Sequence, residues 1–263
     1  MPFKPLLFFS LLLSVACNNP ASSNTKERSN NQKLIAISSD KNPYHTISAI
    51  PMPEGFMPLQ ADSNLFAVWL SNIPLKQNKT VYLYNGLAKN NQLAQFAVLD
   101  ISVGNKNLQQ CADAVMRLRA EYLFKEKRFT EISFTDNEHG VYSFKQPYSR
   151  GNFNIFLERV FSSCGSASLD KQLKTVNNFR DIKSGDILIK GGFPGHAVIV
   201  VATAVNNTGK KIFMLAQSYM PAQDIHILKN PANDTLSPWY EVNDNKKIIT
   251  PEYIFYSNEL KAW

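Results

Sequence analysis

GDILIKGGFPGHAVIVVATAVNNTGKKIFMLAQSYMPAQDIHIL, residues 185–228, breaks into extended runs separated by turn residues. Asp186–Lys190, His196–Thr203 and Lys211–Ser218 are rich in Ile, Val, Leu and Phe. Gly191-Gly192-Phe193-Pro194-Gly195 and Asn206-Asn207-Thr208-Gly209 punctuate them. Such runs between Gly, Pro and Asn clusters read as antiparallel strands. Side chains alternate along a strand, so His196, Val198 and Val200 share one face, and Ala197, Ile199 and Val201 share the other. On the returning strand Lys211, Phe213, Leu215 and Gln217 share a face. If Asn206 and Asn207 alone form the loop, Val205 pairs with Thr208 and His196 faces Gln217. If all four residues form it, Val205 pairs with Lys210 and Gln217 lies diagonally opposite His196. Either register brings the two side chains to one face. A slip of one residue would separate them.

Upstream, NLQQCADAVMRLRAEYL (107–123) has the period of a helix. Leu108, Cys111, Val115, Leu118 and Tyr122 recur at spacings of three and four and form an apolar face. Asn107 offers an N-cap, which places Cys111 within about the first turn. Asp113, Arg117 and Glu121 stand four apart as pairs of opposite charge on a flanking face. Leu65–Leu70 reads as a short apolar helix or buried turn, and Thr80–Tyr84 and Leu93–Ile101 read as strands. Glu131–Thr135 and Val141–Phe144 flank the turn DNEHG as a hairpin, and 152–164 and 168–176 read as helices. The class is α+β, with helices packed on a mainly antiparallel sheet.

A cysteine on a helix, then a histidine opening a strand, then an amide on the returning strand, is an order that suits nucleophilic catalysis. A thiol attacks as thiolate, and a neighbouring imidazole takes its proton. The imidazole needs a third group to fix its ring, a role the Gln217 amide oxygen can fill. A helix N-terminus favours negative charge on sulfur, and the Cys111 N–H could hold an oxyanion. A Cys111 so placed is expected to have a depressed pKa. The bland alternative is a core cysteine on an apolar stripe and a structural histidine at a strand start. Tyr219, Trp239 and Tyr240 could line a substrate groove by stacking, or pack over the sheet end. His196 and His226, with Asp186 or Asp224, lack the spacing of a metal site, so no metal and no cofactor are expected. Cys164 ends an apolar stretch and reads as a buried small residue.

The N-terminus MPFKPLLFFSLLLSVAC carries Lys4, an apolar run from Leu6 to Val15, and Ala16-Cys17. It is too short and wrongly flanked for a membrane span and reads as a signal peptide over 1–16. Residues 17–34, rich in Asn and Ser, cannot bury a core and read as a disordered tether reaching on the order of 20 Å. Residues 35–263 suffice for a single α+β domain. The formal charge of +7 is spread over many segments. Such a surface suits anionic envelope polymers or lipid headgroups. Without a zinc-finger spacing, phosphate loop or basic–aromatic ladder, no nucleic-acid partner is expected.

Two resemblances extend these readings. Ala16-Cys17 at the end of the apolar run resembles the lipobox of bacterial lipoproteins, which implies lipidation of Cys17 and an anchor in the cell envelope, at the outer membrane facing the periplasm. Cys111, Gly185-Asp186, Gly195-His196 and Gln217 resemble the NlpC/P60 and CHAP branches of papain-like cysteine peptidases. That implies their fold, and hydrolysis of cell-wall peptides or amides with Cys111, His196 and Gln217 as catalytic residues. Over most of the mature chain, DISVGNKNLQQCADAVMRLRAEYL, PGHAVIVV, LAQSYMPAQDIHILKNP and SPWY resemble the lipoprotein family known as domain of unknown function 4846. This resemblance implies an envelope lipoprotein and no particular reaction. The alternatives are a non-catalytic lipoprotein that binds an anionic polymer such as peptidoglycan, or a protein partner, and a structural envelope subunit.

Overall fold

Strand pairing between distant segments organises this chain, because its longest apolar runs are continuous and need a covering layer on each face. The computed structural model describes residues 41–59, 65–243 and 246–263. In chain order the elements are β1 (Phe56–Pro58), α1 (Leu65–Ser71), β2 (Gln95–Val98), α2 (Cys111–Lys125), β3 (Ser133–Thr135), β4 (Val141–Ser143), α3 (Arg150–Ser163), α4 (Ser166–Gln172) and β5 (Lys174–Thr175). Then follow β6 (Ile187–Lys190), β7 (His196–Asn206), β8 (Lys211–Gln217), β9 (His226–Leu228), β10 (Trp239–Glu241), β11 (Lys247–Ile249), β12 (Ile254–Tyr256) and β13 (Leu260–Ala262). The principal sheet runs β2-β9-β8-β7-β6-β13-β5, with β1 added to β7 and β10 added to β8. Every pairing in it is antiparallel. The fold is therefore α+β with a large antiparallel sheet.

The sheet has a different partner on each face. Ala197, Ile199, Val201, Ile212, Met214 and Ala216 share a core with α2, α1 and α3. Leu188, Val198, Val200, Phe213 and Leu215 pack on the other side against Ile248 of β11 and Phe255 of β12. The helix α2 buries Ala112, Val115, Met116, Leu118 and Leu123 against the first face. Truncating a side chain as buried as Leu118, at 0% exposure, costs about 2–5 kcal/mol.

Several boundaries differ from the sequence expectation. The helix α2 starts at Cys111, with Gln110 as its N-cap. Asn107 is used elsewhere: its Oδ1 accepts the Ala222 N–H at 2.8 Å and ties the approach to the helix to the segment after β8. Asp113 does not pair with Arg117. Its Oδ2 accepts the Gln110 N–H at 2.9 Å, while Arg117 donates to Ser102 O and the Gln109 side chain. Around Thr80–Tyr84 only isolated bridges form, Tyr82 with Ala88 and Leu83 with Gln223.

The β7–β8 hairpin is closed by Val205 pairing with Lys211, one residue beyond the wider of the two expected turns. Asn206 Oδ1 accepts the N–H groups of Thr208 and Lys210 and holds this longer loop. That register alone would set Gln217 opposite Ile199, on the face away from His196. It does not persist. Ala202 pairs with Met214 and Val200 with Leu215, so Val201 is an extra residue. This β-bulge shifts the pairing by one and returns Gln217 to the His196 face.

Candidate active site

Cys111 is the first residue of α2 and lies at the end of the sheet where β7 begins. The first N–H groups of a helix have no partner within it and point toward this end. The backbone N–H groups of Ala112, of Ala197 and of Cys111 itself lie close enough to the thiol to favour its charged form. Ala197 directly follows His196, so the sulfur sits against the first peptide of the histidine strand. Cys111 is partly exposed.

His196 has an exposure of 2% and Gln217 of 1%. Their side chains meet at 2.8 Å, Nε2 of His196 against Oε1 of Gln217. Gln217 Nε2 in turn donates to Glu252 Oε2 at 2.7 Å. Glu252 Oε2 is also paired with Lys89 Nζ at 2.6 Å, and Oε1 accepts from Asn91 Nδ2 at 3.1 Å. His226 lies on the far side of the amide, its Nε2 3.5 Å from Gln217 Nε2, and its Nδ1 is 2.9 Å from Asp224 O. Three aromatic rings wall the His196 imidazole. Tyr219 meets it at 4.7 Å in an edge contact, Tyr253 at 4.9 Å and Phe255 at 5.7 Å, nearly parallel.

Gly195 explains how the chain delivers His196 here. A Cβ at Gly195 would collide with Ser166 Oγ and would lie 2.6 Å from Lys190 O and 2.7 Å from Gly192 O. Two of these are backbone atoms that a side chain cannot displace cheaply, so only glycine fits before the histidine. Gly185 has φ +96° and lies under Phe66, and Asp186 Oδ2 accepts the Lys183 N–H at 2.9 Å. The Gly185-Asp186 pair thus shapes the entry to β6.

The electrostatics differ from the sequence expectation. Burial pushes the Cys111 thiol above its usual value, aided by the nearby Asp113 carboxyl and opposed by those backbone N–H groups. Burial lowers His196 to about 4, against the raising influence of Gln217 and Glu252. At rest the thiol and the imidazole are therefore both neutral. The expected depression of the thiol pKa is not realised, because desolvation penalises both charged forms. Burial raises Asp113 to about 8. Burial, Glu252 and then Cys111 raise the Tyr219 phenol, and Cys111 also contributes to the rise at Tyr253. The two tyrosines against His196 therefore lie near enough to Cys111 to feel its charge when the thiol ionises.

The structure separates the three aromatic residues expected to line a groove. Tyr219 is half-buried against His196. Trp239 and Tyr240, at 3% and 4% exposure, belong to the core. Each edges a separate cavity, Trp239 with Met52 and Met214 and Tyr240 with Phe213 and Asn230, and neither cavity includes Cys111, His196 or Gln217. The two residues pair with Met214 and Phe213 of β8 and so point to opposite faces of the sheet. Trp239 Nε1 donates to Pro51 O, and Tyr240 OH donates to Lys229 O. Tyr253, Glu252 and Lys89, which sequence reading missed, reach the site from loops. The only cue was the string PEY at 251–253, an acid between a proline and an aromatic. Cys164 is buried, and burial pushes its thiol up to about 12. Cys17 lies outside the described residues. Among the described residues no group of three or more His, Cys, Asp or Glu side chains is placed to hold a metal ion, and no helix is long and apolar enough to cross a membrane.

No curated protein and no solved structure matches this chain. The model of one family, Domain of unknown function (4846), matches residues 47–146 and 135–262, a span that holds Cys111, His196, Gln217 and Glu252. The chain belongs to the domain of unknown function 4846 family.

Proposed function

We propose that this chain is a cysteine amidase or peptidase of the cell envelope, with an NlpC/P60-like arrangement of its site. Cys111 is the nucleophile, His196 the general base and Gln217 the orienting group. One observation carries the reading: the buried His196–Gln217 hydrogen bond of 2.8 Å belongs to a strand whose second residue, Ala197, turns its backbone N–H toward the helix-leading Cys111 thiol. The Gln217 Oε1 can only accept, so His196 carries its proton on Nε2 and presents a bare Nδ1. In the reaction Nδ1 takes the thiol proton as sulfur adds to the substrate carbonyl. The N–H of Cys111 faces the developing oxyanion. The imidazolium then protonates the leaving amine, and water cleaves the thioester with His196 again as base.

The substrate proposed is a cell-wall peptide or another envelope amide. The lipobox-like SVAC motivates an anchor on Cys17 in the outer membrane, facing the periplasm. The rival reading is a non-catalytic lipoprotein that binds a polymer or protein partner. The raised Cys111 thiol favours that rival, because a resting thiol is a weak nucleophile. The test is incubation of purified protein with peptidoglycan fragments, with products read by mass spectrometry. Cleavage lost in both Cys111→Ala and His196→Ala supports the hydrolase. Binding of fragments without cleavage supports the rival. Cys17→Ser should move the protein from the membrane to the soluble envelope fraction. An unchanged fractionation would remove the anchor.

A further inference from the structure

We infer that Glu252, held by Lys89, is a positioning residue that selects the His196 tautomer through the Gln217 amide. This rests on the hydrolase reading only for its consequence in catalysis, since the structural argument is independent of it. A glutamine amide can be turned end for end, and Gln217 turned over would offer N–H donors to His196 instead of an oxygen. His196 would then carry its proton on Nδ1, the nitrogen needed bare to accept the thiol proton. Something must hold the amide in one orientation.

Glu252 supplies that constraint. A carboxylate accepts and never donates, so the Gln217 atom 2.7 Å from Glu252 Oε2 must be the NH2 group. The oxygen is thereby turned to His196, whose Nε2 must be the protonated nitrogen. His226 acts in the same sense. Its Nδ1 lies 2.9 Å from the Asp224 carbonyl, which requires a proton on Nδ1 and leaves Nε2 as an acceptor facing the second amide hydrogen at 3.5 Å. The Gln217 NH2 group thus has an acceptor on either side, and its Oε1 has a donor.

Every contact of Glu252 uses it as an acceptor: Oε2 accepts from Lys89 and from Gln217, and Oε1 accepts from Asn91. The Lys89 and Glu252 side chains are only 8% and 13% exposed, and their contact is 2.6 Å. Asn91 Nδ2, at 3.1 Å on Oε1, fixes the rotation of the carboxylate. The chain of contacts from Lys89 through Glu252 and Gln217 to His196 has one consistent assignment of protons. Both ends of the segment 89–91 and the β11–β12 hairpin are thereby tied to the chemistry at β7.

The test reads the tautomer directly. Nitrogen-15 NMR of imidazole-labelled full-length protein distinguishes a proton on Nε2 from one on Nδ1 of His196. Wild type should show a proton on Nε2 alone. Glu252→Gln, whose amide can donate as well as accept, should give a mixture with Nδ1–H, and should slow iodoacetamide labelling of Cys111 about tenfold or more. Should the unpaired Lys89 keep Glu252→Gln from folding, the Lys89→Met/Glu252→Gln double variant, which removes both charges, carries the same test. Glu252→Asp should restore the Nε2 tautomer in part. A His196 that stays wholly on Nε2 in Glu252→Gln and in the double variant overturns the inference, as does a wild-type protein protonated on Nδ1. A tautomer shift with Cys111 labelling indifferent to His196→Ala would support the positioning role and overturn the hydrolase reading.

Discussion

Gln217 reaches His196 because Val201 has no partner in β8. The strand β7 sets three residues, Val200 to Ala202, against two of β8, Leu215 and Met214. Val201 and Ala202 both turn toward the helical layer, where Val201 is fully buried. Below the bulge, Val198 and His196 share their face with Leu215 and Gln217. The catalytic geometry proposed here thus depends on one residue of apolar sequence, five positions from His196, the nearest polar residue of the site.

Removing the amide isolates its value to the fold. In Gln217→Ala the buried Nε2–H of His196 loses its acceptor, and Glu252 loses the Gln217 donor. An unpartnered buried polar group costs about 1–3 kcal/mol. We expect a lower urea midpoint by that amount and a loss of any Cys111-dependent cleavage. Unchanged unfolding would mean that another group satisfies the ring and that Gln217 does not hold it.

The thiols should respond to pH in a defined order. Burial raises Cys111 and takes Cys164 to about 12. The thiolate is the reactive form, so iodoacetamide labelling of folded protein should keep climbing past pH 9 at Cys111. Cys164, buried, should label more slowly at every pH. A Cys111 rate that levels off below neutral pH would instead reveal a thiolate–imidazolium pair, and the neutral resting state argued above would fall.

Asp113 offers a test of the buried helix start. Its carboxyl is at about 8 in the fold and near 3.8 when the chain is open, because burial outweighs the Gln110 N–H that favours the charge. A raised folded pKa means that the folded state holds the extra proton. Its contribution to stability is complete below about pH 4 and is lost as pH rises toward 8. The loss runs at up to about 1.4 kcal/mol per pH unit. Asp113→Asn cannot ionise and can keep an oxygen on the Gln110 N–H. Its stability relative to wild type should therefore grow between pH 5 and pH 8 in urea unfolding. Parallel curves for the two proteins would contradict the assignment.

Much of this arrangement was legible in the sequence, and the rest was hidden for physical reasons. Continuous apolar runs between Gly, Pro and Asn clusters identified β6, β7 and β8, since these strands are buried on both faces of the sheet. The expected turn was too short, and the bulge leaves no mark in a run of Val, Ala and Thr. The two differences cancel, so His196 and Gln217 share a face for a reason the hairpin count did not contain. The start of α2 was misplaced by three residues because Asn107 has the chemistry of an N-cap but spends it on Ala222. Lys89 and Glu252 could not be paired from sequence, as their contact joins loops 163 residues apart.

The aromatic residues near the C-terminus separate packing from recognition. Trp239 packs with the helical core and donates its indole N–H to Pro51 O at 2.9 Å, while Tyr219 is half-buried on the His196 ring, near enough to Cys111 to feel its charge when the thiol ionises. Trp239→Ala should therefore lower stability by about 3–5 kcal/mol, the usual cost of deleting a buried indole. Trp239→Phe should recover most of the packing and lose only the hydrogen bond, about 1 kcal/mol. Tyr219→Ala should cost less stability than Trp239→Ala and should alter the labelling rate of Cys111, because it opens one wall of the imidazole. The measurements are urea unfolding of the three variants and Cys111 labelling at fixed pH. A Trp239→Ala protein that unfolds like wild type would return Trp239 to the surface and to ligand stacking. A Tyr219→Ala protein with an unchanged Cys111 rate would place that ring outside the site.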